Sequence, residues 1–260
     1  MQYQLENCVN KVEMIFKSLK HSIFLAVLLI CLTAVAQDND KILNRLYADR
    51  KPFHYGFSVG MNLQDINITN NGFVTEDGEA WFADVPNYSP GFCVNVLADM
   101  RLAEHFNLRF SPGMYFGNKV VKYTNVNADP ENLDKTRLQQ RQNIKSTYVL
   151  LPLEVKYSAV RYRNLRPYFT GGVMGVMDVS KDHPEQLQLK NFNTMLTVGM
   201  GCDFYLPYFK FCPEIKFCFG LKNMLKKDRP DLEDNPEMMR FTQSVDKIKD
   251  NMIVVTFYFE

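Results

Sequence analysis

The chain has 260 residues and a formal net charge of +1, with 23% charged and 46% hydrophobic residues, which bounds it to one large domain or two small ones. No basic stripe and no nucleic-acid motif accompany that balance, so no nucleic-acid partner is expected. Cysteines are few and none stands at metal-ligand spacing, so neither a metal cofactor nor a disulfide framework is indicated.

The long apolar run lies near the start, from Ser22 to Ala36. Lys17, Lys20 and His21 precede it, and Ala34-Val35-Ala36 followed by Gln37 closes it. A basic region, a short apolar core and an A-x-A site predict a signal peptide over residues 1–36. A transmembrane anchor helix is the competing reading, but the run falls short of the roughly 20 residues needed to span a bilayer. Met14 stands at the usual distance before such a core, so residues 1–13 read as an over-called start. Cleavage after Ala36 removes Lys11, Lys17, Lys20, Glu6 and Glu13 and brings the net charge to zero. Residues 37–52 form a leader, with Ile42, Leu43, Leu46 and Tyr47 at helical spacing. It reads either as a flexible segment or as a short helix that caps a barrel mouth or docks a partner, since so short a helix is marginal alone.

Residues 53–260 carry eight strand candidates, recognised by alternation with period 2. Phe53, Tyr55, Phe57, Val59, Met61 and Leu63 oppose His54, Gly56, Ser58, Gly60 and Asn62 in the first. The second sets Phe92, Val94, Val96, Ala98 and Met100 against Cys93, Asn95, Leu97 and Asp99. The third sets Phe106, Leu108, Phe110, Met114 and Phe116 against Asn107, Arg109, Ser111, Gly113 and Gly117. The fourth, residues 146–157, puts Glu154 and Lys156 opposite Val149, Leu151, Leu153 and Val155. The fifth, residues 166–179, is apolar on both parities and has no evident orientation. In the sixth, Leu196, Val198, Met200, Cys202 and Phe204 oppose Thr197, Gly199, Gly201 and Asp203. The seventh has Phe209, Phe211, Ile215, Phe217 and Phe219 on one parity and Lys210, Cys212, Glu214, Lys216 and Cys218 on the other. The eighth carries Ile253, Val255, Phe257 and Phe259.

Connectors alternate in size. Those at 101–105, 160–165 and 206–208 are short, those at 68–90, 124–145 and 222–250 are long and polar, and 181–190 is intermediate. Short periplasmic turns alternating with long outer loops are the mark of an outer-membrane barrel. The fold class expected is therefore all-β, an eight-stranded antiparallel up-and-down transmembrane β-barrel with both termini periplasmic. A soluble lipocalin-type barrel is the rival, with its apolar residues inside. The non-aromatic parity, however, collects glycines and charges, which fit a narrow lumen better than a continuous phenylalanine band would. His54, Asp99, Arg109, Glu154, Lys156, Asp203, Lys210, Glu214 and Lys216 are then a lumen polar network. Phe57, Val59, Phe110, Phe211, Ile215, Phe217 and Phe257 belong to the lipid-facing band. Eight strands leave an interior just wide enough for side chains, so the charges read as mutually paired filling and not as a conduit.

Catalysis finds little support. Only His54, His105 and His183 follow the signal peptide, and Ser58 lies about 13 Å along the strand from His54. No paired-carboxylate or GxSxG signature stands out, so the chain is expected not to be an enzyme. Cys212 and Cys218 share the lumen parity about 20 Å apart and cannot bond to each other.

Residues 98–117, 146–173 and 198–225 carry the specific pieces. These are R-L-x-x-x-x-N-L-R-F-x-P-G from Arg101 to Gly113, R-P-Y-x-x-G-G from Arg166 to Gly172, D-F-Y-L-P-Y-F-K from Asp203 to Lys210, and P-E-I-K-x-x-x-G-L-x-N from Pro213 to Asn223. With them the chain resembles the PorT/SprT family of outer-membrane β-barrel proteins of Bacteroidota. The resemblance covers strands and short turns, and the long loops match nothing. It implies an outer-membrane component of the type IX secretion system, associated with cargo export and gliding motility. The partners it implies are outer-membrane lipid, other secretion-machinery proteins and, during biogenesis, the barrel-assembly machinery. The alternatives are an independent barrel binding a surface ligand through its long loops, and a barrel enzyme acting on lipid or peptide.

One register follows from parity. Joining the sixth and seventh strands through Pro207-Tyr208 pairs Leu206 with Phe209, Asp203 with Cys212 and Gly201 with Glu214. Asp203 is then expected to ionise against Lys210, and the charges further up against residues such as Arg109 or Lys156.

Overall fold

The computed structural model describes residues 44–74, 78, 80–85, 89–127, 139–180, 189–226, 241 and 244–260. The expected signal peptide, leader residues 37–43 and His183 lie outside the described residues. Ten strands follow one another: β1 (Phe53–Asn70), β2 (Trp81–Asp84), β3 (Ser89–Arg101), β4 (Phe106–Phe110), β5 (Gly113–Asn125), β6 (Gln139–Ser158), β7 (Leu165–Asp178), β8 (Phe192–Tyr205), β9 (Lys210–Gly220) and β10 (Val245–Phe259). Every ladder between them is antiparallel, and β1 pairs with both β3 and β10, which closes the sheet into a ring.

The ring has eight staves. β4 and β5 are one stave, since both pair with β3 on one side and β6 on the other. The third candidate strand was expected to run unbroken from Phe106 to Phe116; it is interrupted at Ser111-Pro112, where proline has no N–H to give the ladder. The pleat survives the break, because Pro112 O still accepts from Val96 N–H at 2.9 Å. β2 lies off the ring of eight, against the far end of β5. Beside it, the Asn70 amide takes the place of a strand edge. Its Nδ2 donates to Ala83 O at 3.0 Å and its Oδ1 accepts from Ala83 N–H at 2.9 Å.

Parity then decides each side chain's environment. Along β1 the outward row reads Phe57, Val59, Met61 and Leu63, all exposed, while Ser58, Asn62 and Gln64 are buried inside. Phe110 is also exposed outward, and Phe211, Ile215, Phe217 and Phe257 are outward and partly exposed. Phe211 stacks on Phe257 with ring centroids 5.9 Å apart, and Phe57 stacks on Phe259 at 5.2 Å. The fifth candidate strand, β7, now has an orientation. Arg166, Tyr168, Thr170, Met174 and Val176 are buried, and Phe169, Val173 and Met177 are exposed.

Strands run on into the edges of the long polar connectors. β1 runs to Asn70, β5 to Asn125, β6 begins at Gln139 and β10 at Val245. Beyond Leu63 and Ile253 the outward row turns polar, with Asp65, Asn67, Lys247 and Lys249, and past the inward Gln64, Lys119 and Asp250 the inward row becomes apolar. Ile66, Trp81, Val121, Tyr123, Phe241, Val245 and Ile248 form one buried cluster. The barrel is inside-out over its lower part and conventional in this extension.

The hairpin from β8 to β9 has the register that parity allowed. Tyr205 pairs with Lys210, Gly201 with Glu214 and Gly199 with Lys216. The Pro207-Tyr208 loop achieves this without positive φ, since among the described non-glycine residues only Arg45 and Arg163 have it.

A charge placed midway up the outer wall meets hydrocarbon. Ile215→Arg is expected to destabilise the barrel in lipid vesicles by about 2–4 kcal/mol, read from denaturant titration. Unchanged stability would reverse the inside-out assignment.

Candidate functional site: the filled lumen

The inward residues form layers. At the short-turn end, residues Ala48–Arg50 make a single 3-10 turn set into the mouth. Asp49 accepts from Tyr205 Oη, from Arg161 at 3.3 Å and from Arg166 at 3.3 Å. Asn44 Nδ2 donates to Tyr205 O at 2.9 Å, and Arg45 Nη1 donates to Glu260 O at 3.0 Å. The turn lies just after Leu46 and Tyr47, whose spacing suggested a helix and which are exposed here. His54 belongs to this layer and not to the ion network above. Its Nε2 is bonded to Ala48 O at 2.8 Å.

Above the turn sits Arg109, fully buried. Its Nη1 donates to Glu214 at 2.8 Å, its Nη2 to Asp99 at 3.2 Å, and Glu260 stands 3.7 Å away. The guanidinium also lies against the rings of Tyr168 and Tyr258, with centroids at 5.3 and 4.9 Å. Lys216 bridges Glu154 at 2.8 Å and Glu214 at 3.2 Å. Lys156 holds Asp203 at 2.8 Å. Lys210 stands 3.7 Å from Asp203 and binds Glu260 more closely.

Asp203 thus differs from its expectation. Its main partner is Lys156, two strands away, and Lys210 is secondary. The reason is the floor between them. Lys156 pairs with Thr170 and Thr170 with Gly199, so small residues leave the long side chain room to cross. Gly201 does the same for Tyr168: a Cβ there would lie 2.5 Å from the phenol oxygen. Tyr168 in turn lies under the Lys156 ammonium at 3.9 Å, a cation–π contact.

A mainly apolar layer follows, made of Cys93, Leu150, Met174, Val176, Met195, Cys218, Met252 and Val254 with Tyr115 and Tyr148, all buried, with Thr197 and Asn193 buried beside Cys218 and Val176. The four described cysteines are free thiols. Higher still, Lys119 donates to Asp250 at 2.8 Å and to Tyr148 Oη at 2.5 Å, and Tyr148 donates to Asp250 at 3.1 Å.

Sequence reading missed this upper triad, Glu260, and the Asp49 cluster. Lys119 and Asp250 keep the inward parity, but they lie beyond the points where the apolar outward row ends. Glu260 follows directly on Phe259 at the mouth, where nothing in the alternation sets it apart. Asp49 depends on a fold-back of the leader that no strand pattern carries.

Chemically, the arrangement holds charge still. Each network cation touches at least one carboxylate, and Arg109 and Lys216 each touch two or more. Among the described residues no group of three His, Cys, Asp or Glu is placed to hold a metal. The His105 ring is bonded to Ser158 O at 2.9 Å. The inward charges, the aromatic faces beneath them and the mainly apolar layer follow one another along the bore.

Removing the hub exposes its role. Arg109→Met leaves Asp99 and Glu214 without their shared partner and is expected to lower stability by about 3–5 kcal/mol, measured by denaturant titration in vesicles. The double variant Arg109→Met with Glu214→Gln should recover part of that loss. A single-variant loss under about 1 kcal/mol would mean the pairs act like exposed ones.

Comparison with known proteins places the chain. Residues 35–226 match the model of a family described as outer membrane protein beta-barrel domain. Among solved structures, the outer membrane protein OprG of Pseudomonas aeruginosa aligns with 79% of this chain and 93% of its own, at 12% identity and TM-score 0.46. Neisserial surface protein A aligns with 80% and 98%, at 9% identity and TM-score 0.36. The attachment invasion locus protein Ail of Yersinia pestis aligns with 81% and 99%, at 10% identity and TM-score 0.35. No curated protein matches in sequence. The family match extends over well more than half of the sequence, from the end of the apolar run into the segment after β9, and the closed ring with its outward apolar band is what such a domain requires. The chain belongs to the outer membrane protein β-barrel domain family of the bacterial outer membrane.

Proposed function

We propose that this barrel is a non-conducting, non-enzymatic component of the type IX protein secretion and gliding machinery, acting in assembly or as an accessory part. The observation that carries the first half is the filled lumen. Arg109, Lys156, Lys210 and Lys216 are buried against carboxylates, and a mainly apolar layer of buried side chains lies above them, so nothing the size of a polypeptide has a path through. The second half rests on the residues that resemble the PorT/SprT family, from Arg101 to Gly113, Arg166 to Gly172 and Asp203 to Asn223. Those segments build the short turns and much of the lumen wall.

In this reading both termini are periplasmic, and the leader turn at Ala48–Arg50 faces the periplasm. Contacts with other machine components run through the outward band, the outer loops or that leader. Cargo does not pass through this chain; it passes through a partner whose assembly this chain supports.

Deletion of the gene tests the reading. The null strain is expected to retain type IX cargo in the periplasm and to lose surface assembly of that cargo, with restoration by the plasmid-borne gene. Normal secretion and normal gliding in the null strain would contradict the assignment.

A further inference from the structure

β9 leaves β10 just above the apolar band. The last paired positions are Phe219 and Asn251. Leu221 N–H remains bonded to Thr194 O at 3.0 Å, and the chain rejoins β10 at Asn223, whose Oδ1 accepts from Ile248 N–H at 3.0 Å, and at Met224, whose N–H donates to Ile248 O at 2.9 Å. Asn251 borders the gap, with Oδ1 accepting a long bond of 3.4 Å from Gly220 N–H. On the outer wall this opens a groove of about 300 Å³, walled by Leu63, Phe217, Phe219 and Ile253, with Asp65 and Asn251 at its polar end.

The outward row of β10 runs through this groove. It reads Ile253, Asn251, Lys249, Lys247, passing from apolar to amide to cationic. At strand rise the two lysines stand about 7 and 13 Å beyond Asn251. Lys247 is exposed and Lys249 partly so, and among the described residues neither forms an ion pair, unlike the paired cations of the lumen. With no ion-pair partner among the described residues, both can meet an anion from outside the chain. The groove itself sits where the outward side chains turn polar, the level at which hydrocarbon meets headgroups.

An apolar slot of this size accepts one acyl chain. Two cations above it suit phosphate, and the Asp65 carboxylate and Asn251 amide suit hydroxyl groups between phosphate and chain. The long-loop end of such barrels faces outward, so the lipid available here is that of the outer leaflet. We propose that the groove is a binding site for a phosphorylated glycolipid of the outer leaflet, with one acyl chain between Phe217, Phe219, Leu63 and Ile253 and its phosphate on Lys247 and Lys249.

The test is native mass spectrometry of the full barrel released from nanodiscs holding lipid A, dephosphorylated lipid A, phosphatidylglycerol or phosphatidylcholine. One lipid A is expected to stay bound, with the other three lipids lost. Two variants, Lys247→Gln with Lys249→Gln and separately Asn251→Phe, are expected to release it. The double lysine variant should weaken retention about 30-fold, from two near-surface cations. Heat-modifiable migration checks that each variant remains a folded barrel, and the lipid comparison on the unmodified protein stands whether or not they fold. Equal retention of all four lipids, or unchanged retention in folded variants, would overturn the site. Retention of phosphatidylglycerol in preference to lipid A would overturn the glycolipid assignment.

Discussion

Pairing of Phe57–Asn70 with Val245–Phe259 joins the first stave to the last, and the rest of the structure depends on that closure. A backbone in hydrocarbon has no water to satisfy its N–H and C=O groups, so an open edge would leave several unmet at a cost of several kcal/mol each. Once the ring is closed, a strand's two rows have only two destinations. One row faces lipid, and the other faces a lumen eight staves wide. Side-chain identity in every stave follows from this single geometric fact, including the glycines that make the lumen wide enough for Tyr168 and Lys156.

A narrow lumen excludes bulk water, and the charges it holds must then satisfy one another. Arg109 shows how this is done. Its planar fork reaches Glu214 and Asp99 at once, and tyrosine rings border it. A buried pair of this kind is weak evidence for added stability, but losing one member leaves an uncompensated charge. The network therefore works as a constraint: it fixes which staves may neighbour which across the lumen. Lys156 with Asp203 and Lys216 with Glu154 tie β6 to β8 and β9 without any backbone contact between them. The same bonds that specify the fold also fill the path an ion or peptide would need.

Much of this was legible because period 2 is a strong signal wherever one face meets lipid. Phe211 to Phe219 against Lys210 to Cys218 could be read without a structure, and so could the β8–β9 register, because a slip by one residue exchanges the faces. Legibility ended where the physical meaning of the rows changed. Past Leu63 the outward row turns polar and the inward row becomes mostly apolar above the Lys119–Asp250 pair, so Asp65–Asn70 and Val245–Asn251 look like loop to a reading tuned to the inside-out pattern. β7 was ambiguous for a related reason: Met174 and Val176 belong to the mainly apolar layer, so both of its rows are apolar at that height. Cross-lumen partners were out of reach too. Asp203 meets Lys156 through space left by Thr170 and Gly199, and strand pairing alone says nothing of the space across a barrel. Asp49 lies in no strand at all.

The central claim is that the lumen is closed by its own side chains, and conductance in a planar lipid bilayer tests it most directly. The account predicts that the purified barrel inserts, as shown by protease protection of the same preparation, and gives no unitary current steps in concentrated potassium chloride. Stable, stepwise conductance that scales with salt would contradict it, because it would require a continuous water path past Leu150, Met174, Met195 and Met252, which are buried together in the bore.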